Sequence, residues 1–357
     1  MIDASVAVLL NMNASRSGPA VLEALRRILP ETDIYASRTA AEADQAVDAV
    51  LARQYSLVFC GGGDGTAMHV MNRVYHTLRA RTAAGAPARV PAFGFLKLGG
   101  GNGWATQMNT PAGVAALQAA RQTAAADLRF SRCNLLDCDG EIFDRGGMGL
   151  DALNLNSYVA LNERFAGGPL APAFRGFAGY WAALFGKTLP HMISQGLRTR
   201  VRVTNLSDQP VLRVNDACEA VVTDIGKGQT MYEGPAIWVG FGTICVGGYG
   251  FIMFPHAQKK RGHMSLRILD VSIPRALRNV RSMYNGSYRD KDLQEFLARD
   301  ALVEFERDTP FHLNGDAKGY RRAVRVKVSD FEPDILDFRR PAGAGVDGAE
   351  PGPNIAP

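Results

Sequence analysis

The stretch that most constrains this chain is the apolar run Leu57-Val58-Phe59 passing directly into Cys60-Gly61-Gly62-Gly63-Asp64-Gly65-Thr66. A short apolar run reads as a buried strand. Glycines lack a Cβ, so backbone amides in such a loop can approach a ligand closely and adopt positive φ. With a helix beginning near Thr66, its N-terminal amides and dipole would complete an anion-binding concavity. A carboxylate, Asp64, inside an anion cradle implies a cation or a proton transfer. A second loop of the same kind, Lys97-Leu98-Gly99-Gly100-Gly101-Asn102-Gly103-Trp104-Ala105, follows the run Ala92–Leu96. Two glycine turns, each after a strand and before a helix, specify a phosphate site far better than one.

The surrounding rhythm sets the fold class. Ser5–Leu10 reads as a strand ending in the polar loop Asn11-Met12-Asn13-Ala14-Ser15-Arg16. Helical spacing over Gly18–Leu29 stops at Pro30, Asp33–Ala36 is a second strand, and Ala40–Gln54 is helical. Ala67–Arg79 and Gly113–Ala125 continue the alternation. Strands alternating with helices imply a mostly parallel sheet with helices on both faces, whose ligands sit at the carboxyl ends of the strands. From about residue 130 the texture changes. Arg129–Phe143 alternates like antiparallel strands, and the glycine-rich Gly146–Ala152 leads into a helical stretch rich in aromatics (Tyr158, Phe165, Phe174, Phe177, Tyr180, Trp181, Phe185). Short alternating segments follow at Leu197–Val203, Val211–Val214, Ala220–Thr223, Ala236–Phe241 and Ser265–Leu269. They predict a β-rich, sandwich-like second domain. Ala301–Phe305 and Ala323–Val328 are its late strands or the return to the first domain. The expected boundaries are 1–132 for the α/β nucleotide-binding domain and 133–314 for the β-rich domain. A returning segment over 315–340 packs near the first domain, and a Pro/Gly/Ala tail over 341–357 is expected to be disordered.

At 357 residues and 46% hydrophobic content the chain can bury two cores. A net charge of +5 without a Lys/Arg block argues against nucleic acid as a partner. Five cysteines, an odd number without zinc-ligand spacing, read as reduced thiols of a cytoplasmic protein. The N-terminus lacks a signal-peptide pattern, and no uncharged run reaches the ~18 residues of a membrane span.

Taken together, these motifs resemble the diacylglycerol-kinase catalytic-domain superfamily of soluble lipid kinases, which includes sphingosine and ceramide kinases. Gly62-Gly63-Asp64-Gly65-Thr66 is similar to its GGDGT loop, and Gly99–Ala105 to its GTGNDFA or GSGNALA loop. Gly147–Ala152 resembles its glycine segment ending in Asp-Ala, Gly248–Ala257 its glycine-then-Pro-x-Ala stretch, and Asn314-Gly315-Asp316 stands where it has Asp-Gly-Glu. The resemblance covers roughly residues 5 to 335. It implies a two-domain fold with the active site in the interdomain cleft, and ATP- and Mg2+-dependent phosphoryl transfer to a lipid hydroxyl. It assigns Asp64 as base or as ligand of a magnesium-bound water, Asp151 to the lipid hydroxyl or the charge network, and Asp316 to the metal through water or to the base network. It places Asn11, Asn13, Arg16, Ser37, Gly62, Gly63, Gly65, Thr66, Gly99, Gly100, Gly101 and Asn102 around the nucleotide. The partner implied is a lipid substrate at the membrane surface, with the protein cytoplasmic and peripherally membrane-associated; a homodimer is a further expectation.

The departures are specific. The acid often found after Asn102 is Gly103, as in sphingosine kinases. The glutamate usual three positions after the threonine is His69, and the last acid is shortened to Asp316. Lys259-Lys260-Arg261 occupies the place of an aspartate that helps many bacterial members hold a structural magnesium, so that site is expected to be absent. Diacylglycerol is the default acceptor and a sphingoid or ceramide lipid the alternative. NAD kinases share the GGDG loop but carry a Leu-Gly-Phe-Leu segment where this chain has Gly-Asn-Gly-Trp. A non-catalytic nucleotide or lipid sensor is a third class. Plain structural roles stand beside the chemical ones: Asp64 in a turn of its own loop, Asp151 as a helix cap, Asp316 in a turn, the aromatic stretch as core.

Overall fold

The structure, a computed structural model, describes residues 5–86, 89–168, 174, 176–196 and 198–339. The tail expected to be disordered lies outside these residues. The described residues form two units: one within Met1–Leu135, Val246–Gly250 and the chain from Ser329 to residue 339, the other within Leu136–Cys245 and Phe251–Val328.

The first unit runs β1 (Val6–Asn11), α1 (Pro19–Arg26), β2 (Ile34–Ser37), α2 (Ala40–Ala52), β3 (Leu57–Gly62), α3 (Asp64–Ala83), β4 (Ala92–Lys97), α4 (Gly103–Gln107), α5 (Ala115–Gln122) and β5 (Phe130–Arg132). A late strand, Asp334–Leu336, returns to the same sheet, whose order is β2, β1, β3, β4, the returning strand, β5. All neighbours are parallel except β5, which runs antiparallel to the returning strand. Parallel strands covered on both faces read as continuous apolar runs, as β1 and β3 do. Val8, Leu10 and Phe59 face a core with Leu25 of α1 and Leu117 of α5. On the other face α2 packs on β1 and α3 on β3. The expected α/β sheet with helices on both faces is therefore what forms. Thr39 caps α2 by accepting the Glu42 amide at 3.2 Å.

The boundaries on either side of the first glycine loop differ from expectation. β3 runs on through Gly61 and Gly62, with Gly61 paired to Leu10 of β1 and to Leu96 of β4, and Gly62 to Lys97. Helix α3 starts at Asp64 rather than after Thr66, so the Asp-Gly-Thr of the loop is already its first turn.

The second unit is antiparallel throughout. Its strands are β6 (Leu136–Cys138), β7 (Glu141–Phe143), β8 (Arg145–Gly149), β9 (Thr199–Asn205), β10 (Leu212–Val214), β11 (Ala220–Val222), β12 (Thr230–Ala236), β13 (Trp238–Gly242), β14 (Met264–Leu269), β15 (Leu293–Ala298), β16 (Asp300–Leu313) and β17 (Asp316–Val328). Their order is β11-β10-β15-β14-β13-β8-β16-β17-β6-β7, with β9 and β12 branching from β16. Register shifts along β16 let residues 301–305 pair with β9 while 311–313 pair with β8. That bend wraps the sheet around one core containing Met148, Val203, Val239, Phe241, Leu266, Phe296, Val303 and Phe311. Helices α6 (Leu150–Phe165), α7 (Gly176–Ala183) and α8 (Leu189–Gln195) follow β8. Ala301–Phe305 and Ala323–Val328 both belong to this sheet, and the return to the first begins at Ser329. No helix among the described residues is long and apolar enough to cross a membrane.

Candidate active site

Strand order in the first sheet reverses between β1 and β3, and open α/β sheets bind ligands beyond the carboxyl ends at such a point. Asn11 ends β1 there, and its Nδ2 donates to Thr66 Oγ1 at 2.9 Å, tying the β1 loop to the first turn of α3. Asn13 donates its backbone N–H to Asn11 Oδ1 at 2.9 Å and its Nδ2 to the Arg38 carbonyl at 2.6 Å. The Arg16 amide donates to the Leu98 carbonyl at 2.9 Å, which attaches the same loop to the second glycine turn. Ser37 is buried, and its hydroxyl donates to the Leu10 carbonyl at 3.4 Å, so it serves the sheet.

The two glycine loops touch through their backbones. A Cβ on Gly99 would lie 2.2 Å from Gly63 Cα, and one on Gly63 would lie 2.8 Å from the Gly101 carbonyl oxygen. Asp64 joins them. Its amide donates to the Gly101 carbonyl at 3.3 Å. Its carboxylate accepts the Gly103 amide at 2.9 Å and the Trp104 amide at 3.2 Å. These are N-terminal amides of α4, so the buried Asp64 caps a helix 39 residues downstream. Asn102 closes the second loop: Gly99 N–H donates to its Oδ1 at 3.2 Å and its Nδ2 donates to the Gly99 carbonyl at 2.7 Å. Gly62 leaves room for the Thr66 side chain, Gly65 has open space, and Gly100 is exposed at the loop tip. Residues Val246–Gly250 cluster with this unit, with Gly248 against the second loop.

Asp151 and Asp316 belong to the second unit. Asp151 opens α6 and fits because Gly147 has no side chain; a Cβ there would be 2.4 Å from Asp151 Oδ2. Asp151 Oδ1 accepts the Ala152 amide at 2.7 Å, while Oδ2 lies 2.8 Å from Nε2 of the buried His312. The Gly315 amide approaches His312 Nδ1 at 3.4 Å, so Nδ1 accepts and Nε2 carries the proton donated to Asp151. No motif singled out His312; its only signal was its place two residues before Asn314. Asn314 and Gly315 both have positive φ, 52° and 84°, as a two-residue hairpin between β16 and β17 requires. Asparagine is a good residue for that turn, and its Oδ1 also accepts the Asp144 amide at 3.0 Å. Asp316 is the first residue of β17; burial raises its pKa above the ordinary value, Glu141 adding to the rise and Lys318 and His312 opposing it.

The departures from the family pattern find local explanations. His69 on α3 pairs with Asp44 of α2, Nε2 to Oδ1 at 3.0 Å, at the surface. Lys259 Nζ bonds the Cys218 carbonyl. Among the described residues no group of three or more His, Cys, Asp or Glu is placed to hold a metal ion. The cysteines form no disulfide, and burial pushes the Cys60, Cys133 and Cys138 thiols up to about 12.

Residues 5–132 match the family model described as the diacylglycerol kinase catalytic domain. A solved structure described as a "putative diacylglycerol kinase" from Bacillus anthracis str. Sterne superposes with a TM-score of 0.62 at 14% identity, covering 94% of this chain and 98% of the other. Another from the same strain, described as a diacylglycerol kinase, gives 0.57 at 13% identity, covering 94% and 97%. At these identities the likeness speaks for the fold, across both units. A search of curated proteins found no match.

Proposed function

With residues 5–132 belonging to the diacylglycerol kinase catalytic-domain family, we propose that this chain is an ATP-dependent kinase. In this reading it transfers the γ-phosphate to a hydroxyl of a membrane lipid, of the diacylglycerol type by default. The observation that carries the reading is the joining of two glycine loops by Asp64 where the strand order reverses. Phosphoryl transfer asks a protein for little covalent chemistry; it needs amides around the phosphates, a cation, and a carboxylate near the attacking hydroxyl. The glycine loops and the first turn of α3 supply the amides. Asp64 is the carboxylate, as base or as ligand to a metal-bound water. Asn11 and Arg16 line the nucleotide, Asn13 and Ser37 hold the strand ends that shape its pocket, and Asp151 and Asp316 support the acceptor.

The donor set suits magnesium brought in by the nucleotide. Mg2+ keeps several waters and takes one or two carboxylates plus substrate phosphates, so no protein cluster of three ligands is required. The Gly103 and Trp104 amides hold the Asp64 carboxylate in place as a candidate ligand. Bound there, the metal would neutralise charge on the transferred phosphoryl group. We further propose that the stacked aromatics Phe165 with Phe174 and Trp181 with Phe185 meet the lipid surface.

A sphingoid or ceramide acceptor is the second reading, and Gly103 favours it. Its amide is bonded to the Asp64 carboxylate, so an acidic side chain at this buried position would add a like charge beside Asp64. Incubation with γ-labelled ATP, Mg2+ and mixed micelles of diacylglycerol, sphingosine or ceramide tests the proposal. Label in one lipid class supports it and selects the acceptor. No labelled lipid with any of them sinks it, and label in NAD or binding without transfer would select the rival classes.

A further inference from the structure

We infer that Lys97 is a phosphate-contacting cation of the nucleotide site, an assignment that rests on the nucleotide binding proposed above. Lys97 is the last residue of β4 and is paired in register with Gly62, the last residue of β3. Side chains of laterally paired residues in a parallel sheet leave the same face. On that face a Cβ at Gly62 would lie 2.3 Å from Thr66 Oγ1, so it is the face covered by the first turn of α3. Two residues earlier on the same face, Phe95 packs on Trp104 of the second loop's helix, ring centroids 5.9 Å apart. Lys97 therefore leaves the sheet between the two sets of backbone amides that the glycine loops present.

Among the described residues no charged group offsets a positive charge there. Lys97 is half-buried, and among the described residues no carboxylate pairs with it. Burial lowers the pKa of its amine, with no charged neighbour offsetting the effect. The nearby amides of the α3 N-terminus carry positive partial charge as well, which makes a lone ammonium less favourable still. A bound polyphosphate relieves all of these at once. An ammonium on a flexible stem is a compact point charge with three donors, suited to the terminal oxygens of a phosphate chain.

The test is calorimetric binding at one fixed salt concentration of ATP, adenosine and inorganic tripolyphosphate to the full chain, wild type, Lys97→Met and Lys97→Arg. Methionine keeps the apolar stem and removes the charge. Lys97→Met is expected to weaken ATP and tripolyphosphate by roughly 10- to 100-fold, as loss of a charge-assisted hydrogen bond does. Adenosine affinity and the unfolding temperature should be unchanged, and Lys97→Arg should stay within several-fold of wild type for ATP. Wild-type-like ATP binding by Lys97→Met, or an equal loss for adenosine, overturns the assignment of Lys97 while the nucleotide site stands. A wild-type protein that binds no ATP overturns both.

Discussion

Asp64 and Asp151 are held by opposite means, one by backbone and one by a side chain. The Asp64 carboxylate rests on two amides, 39 and 40 residues downstream, presented by a loop whose glycines allow backbone-to-backbone packing. Asp151 rests on an imidazole 161 residues away, placed by a strand and a hairpin. Glycine-to-glycine packing responds to sterics alone, whereas a cluster of buried ionised side chains responds to sterics and to pH.

The largest effect expected of this contrast is in the second unit at Glu295 on β15. Its carboxylate accepts the Ser265 hydroxyl at 2.8 Å and lies 3.1 Å from His256 Nδ1 and 3.3 Å from Arg267 Nε, all of them buried. Burial alone would raise its pKa, but the close approach of His256 and the Arg267 charge outweigh it and bring it from 4.5 to about 2. Glu295→Gln strands Arg267 without a counter-charge and should cost about 3–5 kcal/mol at neutral pH. Because the folded pKa is depressed, this stabilisation is present above 4.5 and fades as pH falls toward 2. Denaturant unfolding of both proteins across that range should show the gap closing; a gap independent of pH would remove the contrast.

In the first unit the counterpart is Gly99→Ala, whose Cβ would lie 2.2 Å from Gly63 Cα and 3.0 Å from the Gly101 carbonyl oxygen. A cost of about 1–3 kcal/mol is expected, constant with pH. Gly65→Ala, with open space inside α3, should be neutral or stabilising by up to about 1 kcal/mol. Equal costs at the two positions in thermal unfolding would show that the loops do not pack as described. The smallest effect is the coupling of Asp151 to His312. A double-mutant cycle with Asp151→Asn and His312→Ala should return about 1.5 kcal/mol at neutral pH. Additive effects would mean the pair is not a unit in solution.

The same contrast explains what could be seen in the amino-acid order. Glycine loops after apolar runs announce themselves because backbone geometry depends on local residues, and Asp64 was visible with them. The start of α3 was not, because glycine and aspartate are poor helix formers whose place in a first turn is decided by Gly101, Gly103 and Trp104 across the site. β12 contains Gly234 and Pro235, which read as loop; the proline is tolerated because β12 pairs only with β9 and lies at an edge. β15, Leu-Gln-Glu-Phe-Leu-Ala, has helix-forming composition and becomes a strand through pairing with β14 and β10. His312 carries no local pattern, since its role exists only once β16 meets α6. In Asn314-Gly315-Asp316, turn chemistry and site chemistry call for the same residues, so the letters alone do not separate them.

In the proposed reaction Asp64, seated between two glycine loops, handles the phosphate that is transferred. Transfer of labelled γ-phosphate from ATP to lipid in mixed micelles, compared between wild type and Asp64→Asn, tests it most directly. Turnover is expected to fall by on the order of 100-fold or more, with ATP still bound and the chain still folded. The substitution should cost about 1–3 kcal/mol of stability, because an amide side chain accepts only one of the Gly103 and Trp104 N–H groups. Unchanged turnover in Asp64→Asn would contradict that role.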